Sequence, residues 1–150
     1  MFTTLFENLK KVNEEIDPSD IFKPWTNDEK NEMFVDNIKT QGCFQNDDGT
    51  WSSERDVNIS ERNLKVIPVQ FKKVAGHFYC THNQLTSLKG CPVYVGKNFG
   101  CSYNLLTSLE GCPEIVRWRF WCLHNAKQFT EAEVRKLCIV GEDIKVTFSS

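Results

Sequence analysis

The sequence has no apolar run near the roughly 18 residues that span a bilayer, so no membrane-crossing helix is expected. Its opening, MFTTLFENLKKVNEEI, lacks the basic start and apolar block of a secretory signal. It has no surplus of positive charge: 18 Lys/Arg against 20 Asp/Glu leave a formal net charge of -2, which argues against a dedicated nucleic-acid binder. No two cysteines stand as C-x-x-C, the spacing of zinc sites. There is no Gly-rich phosphate loop, no H-E-x-x-H and no G-x-S-x-G. Together these gaps leave no expected cofactor, metal site or catalytic set. Seven cysteines, an odd number without a leader, point to reduced thiols in a cytoplasmic protein.

What is present is an ordinary globular composition, 40% hydrophobic and 25% charged, on a chain of single-domain length. The charge is uneven. Residues 1–55 hold six Lys/Arg and twelve Asp/Glu, whereas residues 56–150 hold twelve and eight. An acidic region over 1–55 and a mildly basic region over 56–150 are therefore read as two structural zones.

The basic zone repeats itself. NQLTSLKGCP, starting at Asn83, returns as NLLTSLEGCP at Asn104, with eight of ten letters unchanged at an offset of 21. The offset extends without gaps to four units that start at Asp56, His77, Asn98 and Arg119. Its columns are Val57/Phe78/Phe99/Phe120, Ile59/Cys80/Cys101/Cys122, Leu64/Leu85/Leu106, Ile67/Leu88/Leu109 and Val74/Val95/Val116/Leu137. A fixed period of this length is the mark of a solenoid, in which each coil buries its apolar column only against its neighbours. F-x-C reads as a short strand with Phe and Cys inward. Asn83, Asn104 and Asn125 are placed to satisfy backbone groups in the bend that follows. GCP supplies a permissive Gly and a helix-stopping Pro.

The pattern F-x-C-x-x-N-x-L-x-x-L resembles the leucine-rich repeat, L-x-L-x-x-N-x-L-x-x-L, with Phe and Cys in the first two Leu places. The fuller wording LTSLxGCPxxVGxxFxC resembles repeat proteins encoded by tailed bacteriophages. The resemblance covers residues 77–125 best and 56–76 fairly; Arg62 replaces the Asn in the first unit, and Lys127 and Thr130 replace the Leu pair in the fourth. It is absent from 1–50, and it implies a short leucine-rich-repeat-like solenoid with a parallel sheet of about four to five strands; with the N-terminal α-helical cap that residues 1–55 suggest by themselves, the expected fold class is α/β. The resemblance further implies a non-catalytic protein-binding module in the host bacterial cytoplasm, acting as an inhibitor or modulator of a host enzyme or defence complex.

Both ends depart from the repeat. Thr130-x-x-Glu133 is a capping box leading a helix with Phe129, Val134, Leu137 and Cys138 at helical spacing. Ile144, Val146 and Phe148 alternate like a closing strand, which leaves monomer and strand-paired homodimer both open. Upstream, Phe2, Leu5, Phe6, Leu9, Val12 and Ile16 share one helical face. Thr26-x-x-Glu29 begins a second helix, with Met33, Phe34 and Ile38 apolar, and NDDGTW is a turn. These helices either cover the first coil or form an acidic partner-binding arm.

With Phe and Cys inward, the alternate residues face out in rows: Asp56, Asn58, Ser60; His77, Tyr79, Thr81; Asn98, Gly100, Ser102; Arg119, Trp121, Leu123. Tyr79 and Trp121 flank Gly100, which predicts a groove between two aromatics. Tyr, Trp and Arg are the side chains most enriched at interface hot spots. The expected partner-binding residues are Asn58, His77, Tyr79, Asn98, Gly100, Arg119, Trp121 and Leu123; packing under the N-terminal helices is the competing reading of this face. His82, Tyr103 and His124 share another column and are expected to stack on the strand-end rim. Cys43, outside the repeats, is the thiol expected to react first. Two other function classes stay open. Lys72, Lys73, Lys89, Lys97, Arg117, Arg119 and Arg135 with Trp118 and Trp121 suit a single-stranded nucleic acid, and an enzyme would have to use Cys43 or a histidine.

Overall fold

The computed structural model describes residues 24–146, and the chain divides into two compact units, 1–40 and 41–150. In the first unit, helix α1 (Asn27–Thr40) starts at the expected box: Glu29 N donates to Thr26 Oγ1 at 3.2 Å and Thr26 N to Glu29 Oε2 at 2.9 Å. Asp28 and Glu29 in the first turn and Lys39 in the last complement the helix dipole. Phe34 and Ile38, four apart, are its buried residues, while Met33 is exposed. The helix expected over Phe2–Ile16 lies outside the described residues, as does Phe148.

The second unit is a solenoid whose strands are two to four residues long: β1 (Phe44–Gln45), β2 (Trp51–Ser53), β3 (Val57–Asn58), β4 (Phe71–Val74), β5 (Phe78–Tyr79), β6 (Tyr94–Val95), β7 (Phe99–Gly100), β8 (Ile115–Val116), β9 (Phe120–Trp121), β10 (Ile139–Val140) and β11 (Ile144–Lys145). β3, β5, β7, β9 and β11 form one parallel five-stranded sheet. Its register, Val57↔Phe78↔Phe99↔Phe120, is the 21-residue column read from the sequence. The return side forms a second sheet, beyond the single parallel sheet expected, in the order β1-β2-β4-β6-β8-β10, parallel except for the β1–β2 hairpin. That sheet begins upstream of residue 56, because Trp51–Ser53 pairs with Phe71–Val74. The hairpin turns through NDDGT: Asn46 N donates to Thr50 O at 2.7 Å, and Gly49 takes φ +88°.

The core lies between the sheets. Phe71, Phe78, Phe99 and Phe120 are fully buried, and their rings follow one another at 5.1, 6.0 and 5.0 Å. Leu85, Leu88, Leu106 and Leu109 fill the bend beside them. The coils approach too closely for a side chain at the corner glycines: a Cβ on Gly96 would overlap the Ala75 carbonyl, and one on Gly141 the Arg117 carbonyl.

The last coil is longer. Its strands pair at Phe120↔Ile144 and Val116↔Val140, an offset of 24 instead of 21. The extra residues are taken up by helix α2 (Glu131–Leu137), capped as expected by Thr130, which accepts from Glu133 N. One column entry changes in consequence. Leu137, expected to follow Val116 inward, is 55% exposed, and Val140 holds that place instead.

Candidate functional site

Two hydrogen-bonded ladders hold the outer rows in place. In the bend, Asn83 Oδ1 accepts from Arg62 N and Leu64 N at 3.0 and 3.1 Å, and Asn104 and Asn125 accept from Leu85 N and Leu106 N at 3.1 Å. Their amide nitrogens reach back to carbonyls such as Cys80 O, 2.9 Å from Asn104 Nδ2. The Asn column is therefore the backbone bridge expected of it. A second ladder runs along the strand entrance. His77 N donates to Asp56 Oδ1 at 2.7 Å, Asn98 N to His77 Nδ1 at 3.0 Å, and Arg119 N to Asn98 Oδ1 at 3.1 Å. His77 and Asn98, named from sequence as partner-binding residues, thus have a structural task as well. Asn98 is buried.

The aromatic residues of this face are brought together. Trp118 meets the His77 ring edge-on at 5.6 Å, His77 stacks on Tyr79 at 5.5 Å and 14°, and Tyr79 stacks on Trp121 at 6.4 Å and 10°. The groove expected at Gly100 is not open. Tyr79 leans into the space a side chain would occupy, so that a Cβ on Gly100 would stand 2.9 Å from Tyr79 Cδ1. Two strands apart, the rings would stand about 9.6 Å from each other if both rose straight from the sheet. The Gly lets them converge to an offset stack. The result is a shelf of four rings rather than a slot. Trp118 is 41% exposed, with Lys97 Nζ 5.5 Å from its ring centroid. Tyr79, Trp121 and Leu123 are half-buried, whereas Asn58 and Arg119 are exposed.

Arg119 pairs with Glu142 at 3.4 Å and, more distantly, with Asp143 at 3.9 Å. Asn58 is held on both sides of its peptide by one side chain: Gln41 Oε1 accepts from Asn58 N at 2.7 Å, and Gln41 Nε2 donates to Asn58 O at 2.9 Å. Several residues of the basic surface are also neutralised locally. Lys72 pairs with Asp48 at 3.3 Å, Lys89 with Glu110 at 3.5 Å and Arg135 with Glu131 at 3.1 Å. Lys73 lies over the Tyr94 ring at 5.4 Å.

The rim stack is present: His82, Tyr103 and His124 follow at 4.4 Å each, tilted by 8° and 22°. All three take left-handed backbone angles, φ +53° to +56°, a feature the sequence pattern does not announce for His and Tyr.

The thiols are largely interior. Cys80, Cys101 and Cys122 are buried as expected, and all seven cysteines are unbridged. Cys43 corrects the sequence reading. It is buried, and burial pushes its thiol up to about 11, because a hidden thiolate loses its hydration. Cys112 is half-buried, the most accessible of the seven, though burial still raises it to about 11. Cys138 is pushed up to about 12, and Cys91 and Cys101 well above the ordinary thiol range, by the same cause. None of these five is activated toward nucleophilic attack at neutral pH. Among the described residues no three His, Cys, Asp or Glu side chains converge as metal ligands, and no helix is long and apolar enough to cross a membrane.

Comparison with protein-family models, with curated proteins and with solved structures finds no match to this chain.

Proposed function

We propose that this protein is a non-catalytic protein-binding module that engages its partner through the outer face of the five-stranded sheet. The observation that carries the reading is the four-ring shelf of Trp118, His77, Tyr79 and Trp121, fixed on a rigid repeat scaffold by backbone ladders. Rigid aromatics give contact area at little cost in side-chain entropy, and Trp and Tyr dominate interface hot spots. The resemblance of the repeats to the leucine-rich type of tailed bacteriophages supports a partner in the bacterial host, an enzyme or a defence complex that the module inhibits or modulates.

Single-stranded nucleic acid is the second reading, favoured by Lys97 over Trp118. Against it, four of the seven basic residues in that surface sit in ion pairs with neighbouring carboxylates. The test is affinity capture from bacterial lysate with the intact chain, repeated with Trp121→Ala and Trp118→Ala. A specific protein retained by the parent, and bound more weakly by Trp121→Ala by about 2 kcal/mol or more, supports the module. Salt-dependent retention on single-stranded DNA or RNA, with no protein captured, supports the alternative.

A further inference from the structure

The two sheets have four edges, and two carry a hydrogen-bonded closing contact. The upstream edge of the six-stranded sheet is β1 itself, an antiparallel arm of two residues. Arg135 Nη1 donates to Val140 O at 3.4 Å on its downstream edge. The Gln41 amide pairs with both backbone groups of Asn58, as a neighbouring strand would, and so closes the five-stranded sheet upstream. β11 is the fourth edge; helix α2 packs beside it, but no described residue hydrogen-bonds to its outer side.

The exposed groups on that edge follow from the repeat. In this sheet the inward-facing residue of each strand donates to the next coil: Phe78 N to Asn98 O, Phe99 N to Arg119 O, Phe120 N to Asp143 O, at 2.8–3.0 Å. Ile144 pairs with Phe120 and takes the same orientation, so its N–H and C=O point out of the sheet. No described residue meets them. Around this edge Ile144 and Val146 are half-exposed, and two cavities of about 390 and 610 Å³ open there and share Val146. An unpaired edge of this kind is a template for another strand.

We propose that β11 pairs with β11 of a second copy of the chain, antiparallel, about a two-fold axis at Ile144. The strand is its own charge complement. With Ile144 opposite its counterpart and exchanging both backbone hydrogen bonds, Asp143 falls opposite the partner's Lys145, and Lys145 opposite the partner's Asp143. Both side chains lie on the outer face, since Ile144 faces in. They occupy the closely spaced, non-hydrogen-bonded positions of an antiparallel pair, where opposite charges attract and like charges repel. Asp143 is the more distant of the two carboxylates on Arg119, at 3.9 Å against 3.4 Å for Glu142, so turning to a partner leaves Arg119 its closer pair. Head-to-tail growth is disfavoured, because it would need the upstream edge that Gln41 closes.

Sedimentation equilibrium of the full chain across a concentration series, at low salt, tests this. A reversible dimer is expected. Asp143→Lys and Lys145→Asp each turn two opposite-charge pairs into two like-charge pairs, and each raises the dissociation constant about tenfold or more. The double variant restores opposite charges in the same register and recovers the dimer; thermal melts show that the single variants remain folded. A monomer at every concentration overturns the proposal. So does a dimer indifferent to both reversals, a double variant no tighter than the single ones, or open-ended growth.

Discussion

Replacing Asn104 by Ala removes the middle rung of the bend ladder and leaves the apolar columns intact. Asn104 is 5% exposed. Its Oδ1 accepts from Leu85 N at 3.1 Å, and its Nδ2 donates to Cys80 O at 2.9 Å, Cys101 O at 3.1 Å and Ser102 O at 3.3 Å. The four backbone groups do not suffer equally. Ser102 O keeps His82 N–H at 3.1 Å. Cys80 O keeps a second donor in Asn83 Nδ2 at 3.2 Å, and Cys101 O keeps Asn125 Nδ2 at 3.3 Å. Leu85 N–H loses its only partner among the described residues, beside a side chain that is fully buried. One orphaned N–H costs about 1–3 kcal/mol and each weakened carbonyl somewhat less, so the total is about 2–4 kcal/mol. In a unit of this size that lowers Tm by about 10 °C. Differential scanning calorimetry measures it, with Asn125→Ala as the internal comparison. Asn125 is only half-buried, so water can reach Leu106 N–H and the loss there should be the smaller one. A Tm for Asn104→Ala within about 2 °C of the parent, or a larger loss for Asn125→Ala, would refute the ladder argument.

Leu85→Ala and Leu106→Ala each empty a fully buried site in the shared core and should cost about 2–5 kcal/mol in denaturant melts, with binding residues untouched. Gly141→Ala should destabilise the last coil, because the added carbon overlaps the Arg117 carbonyl; hydrogen exchange should show the loss confined to β10 and β11. Native alkylation at neutral pH should be slow for all seven thiols and reach Cys112 before Cys43, followed by mass spectrometry. The folded values of Cys43, Cys112 and Cys138 lie above their unfolded ones, so the stability they contribute is whole below about pH 9 and falls as pH rises toward 11–12. A cooperative melt unchanged between pH 8 and 11 would contradict that assignment.

Which residues stack was legible in the repeat alone. A 21-residue period is a statement about neighbours, and it carried over into the pairing of Val57, Phe78, Phe99 and Phe120 and into the Asn83, Asn104 and Asn125 bridges. The capping boxes at Thr26 and Thr130 were equally legible, since each needs only residues three apart. The rest depended on how the coils close and meet in space. Two-residue strands are too short to show an alternation, so the second sheet was hidden in the Val column until Tyr94↔Ile115 and Val95↔Val116 paired. The place of Leu137 went to Val140 because a helix consumes more chain per coil than an extended return. Cys43 is buried at the start of a hairpin, residues 44–53, that joins the second sheet and that no repeat signals. At the candidate site, alternation showed which side chains face out, but not that Asp56, His77 and Asn98 would turn toward the next coil's N–H groups. Nor could it show that Tyr79 would lean over Gly100 to reach Trp121. Those choices are made by atoms 21 or 42 residues apart in sequence, and only stacking the coils brings them within reach.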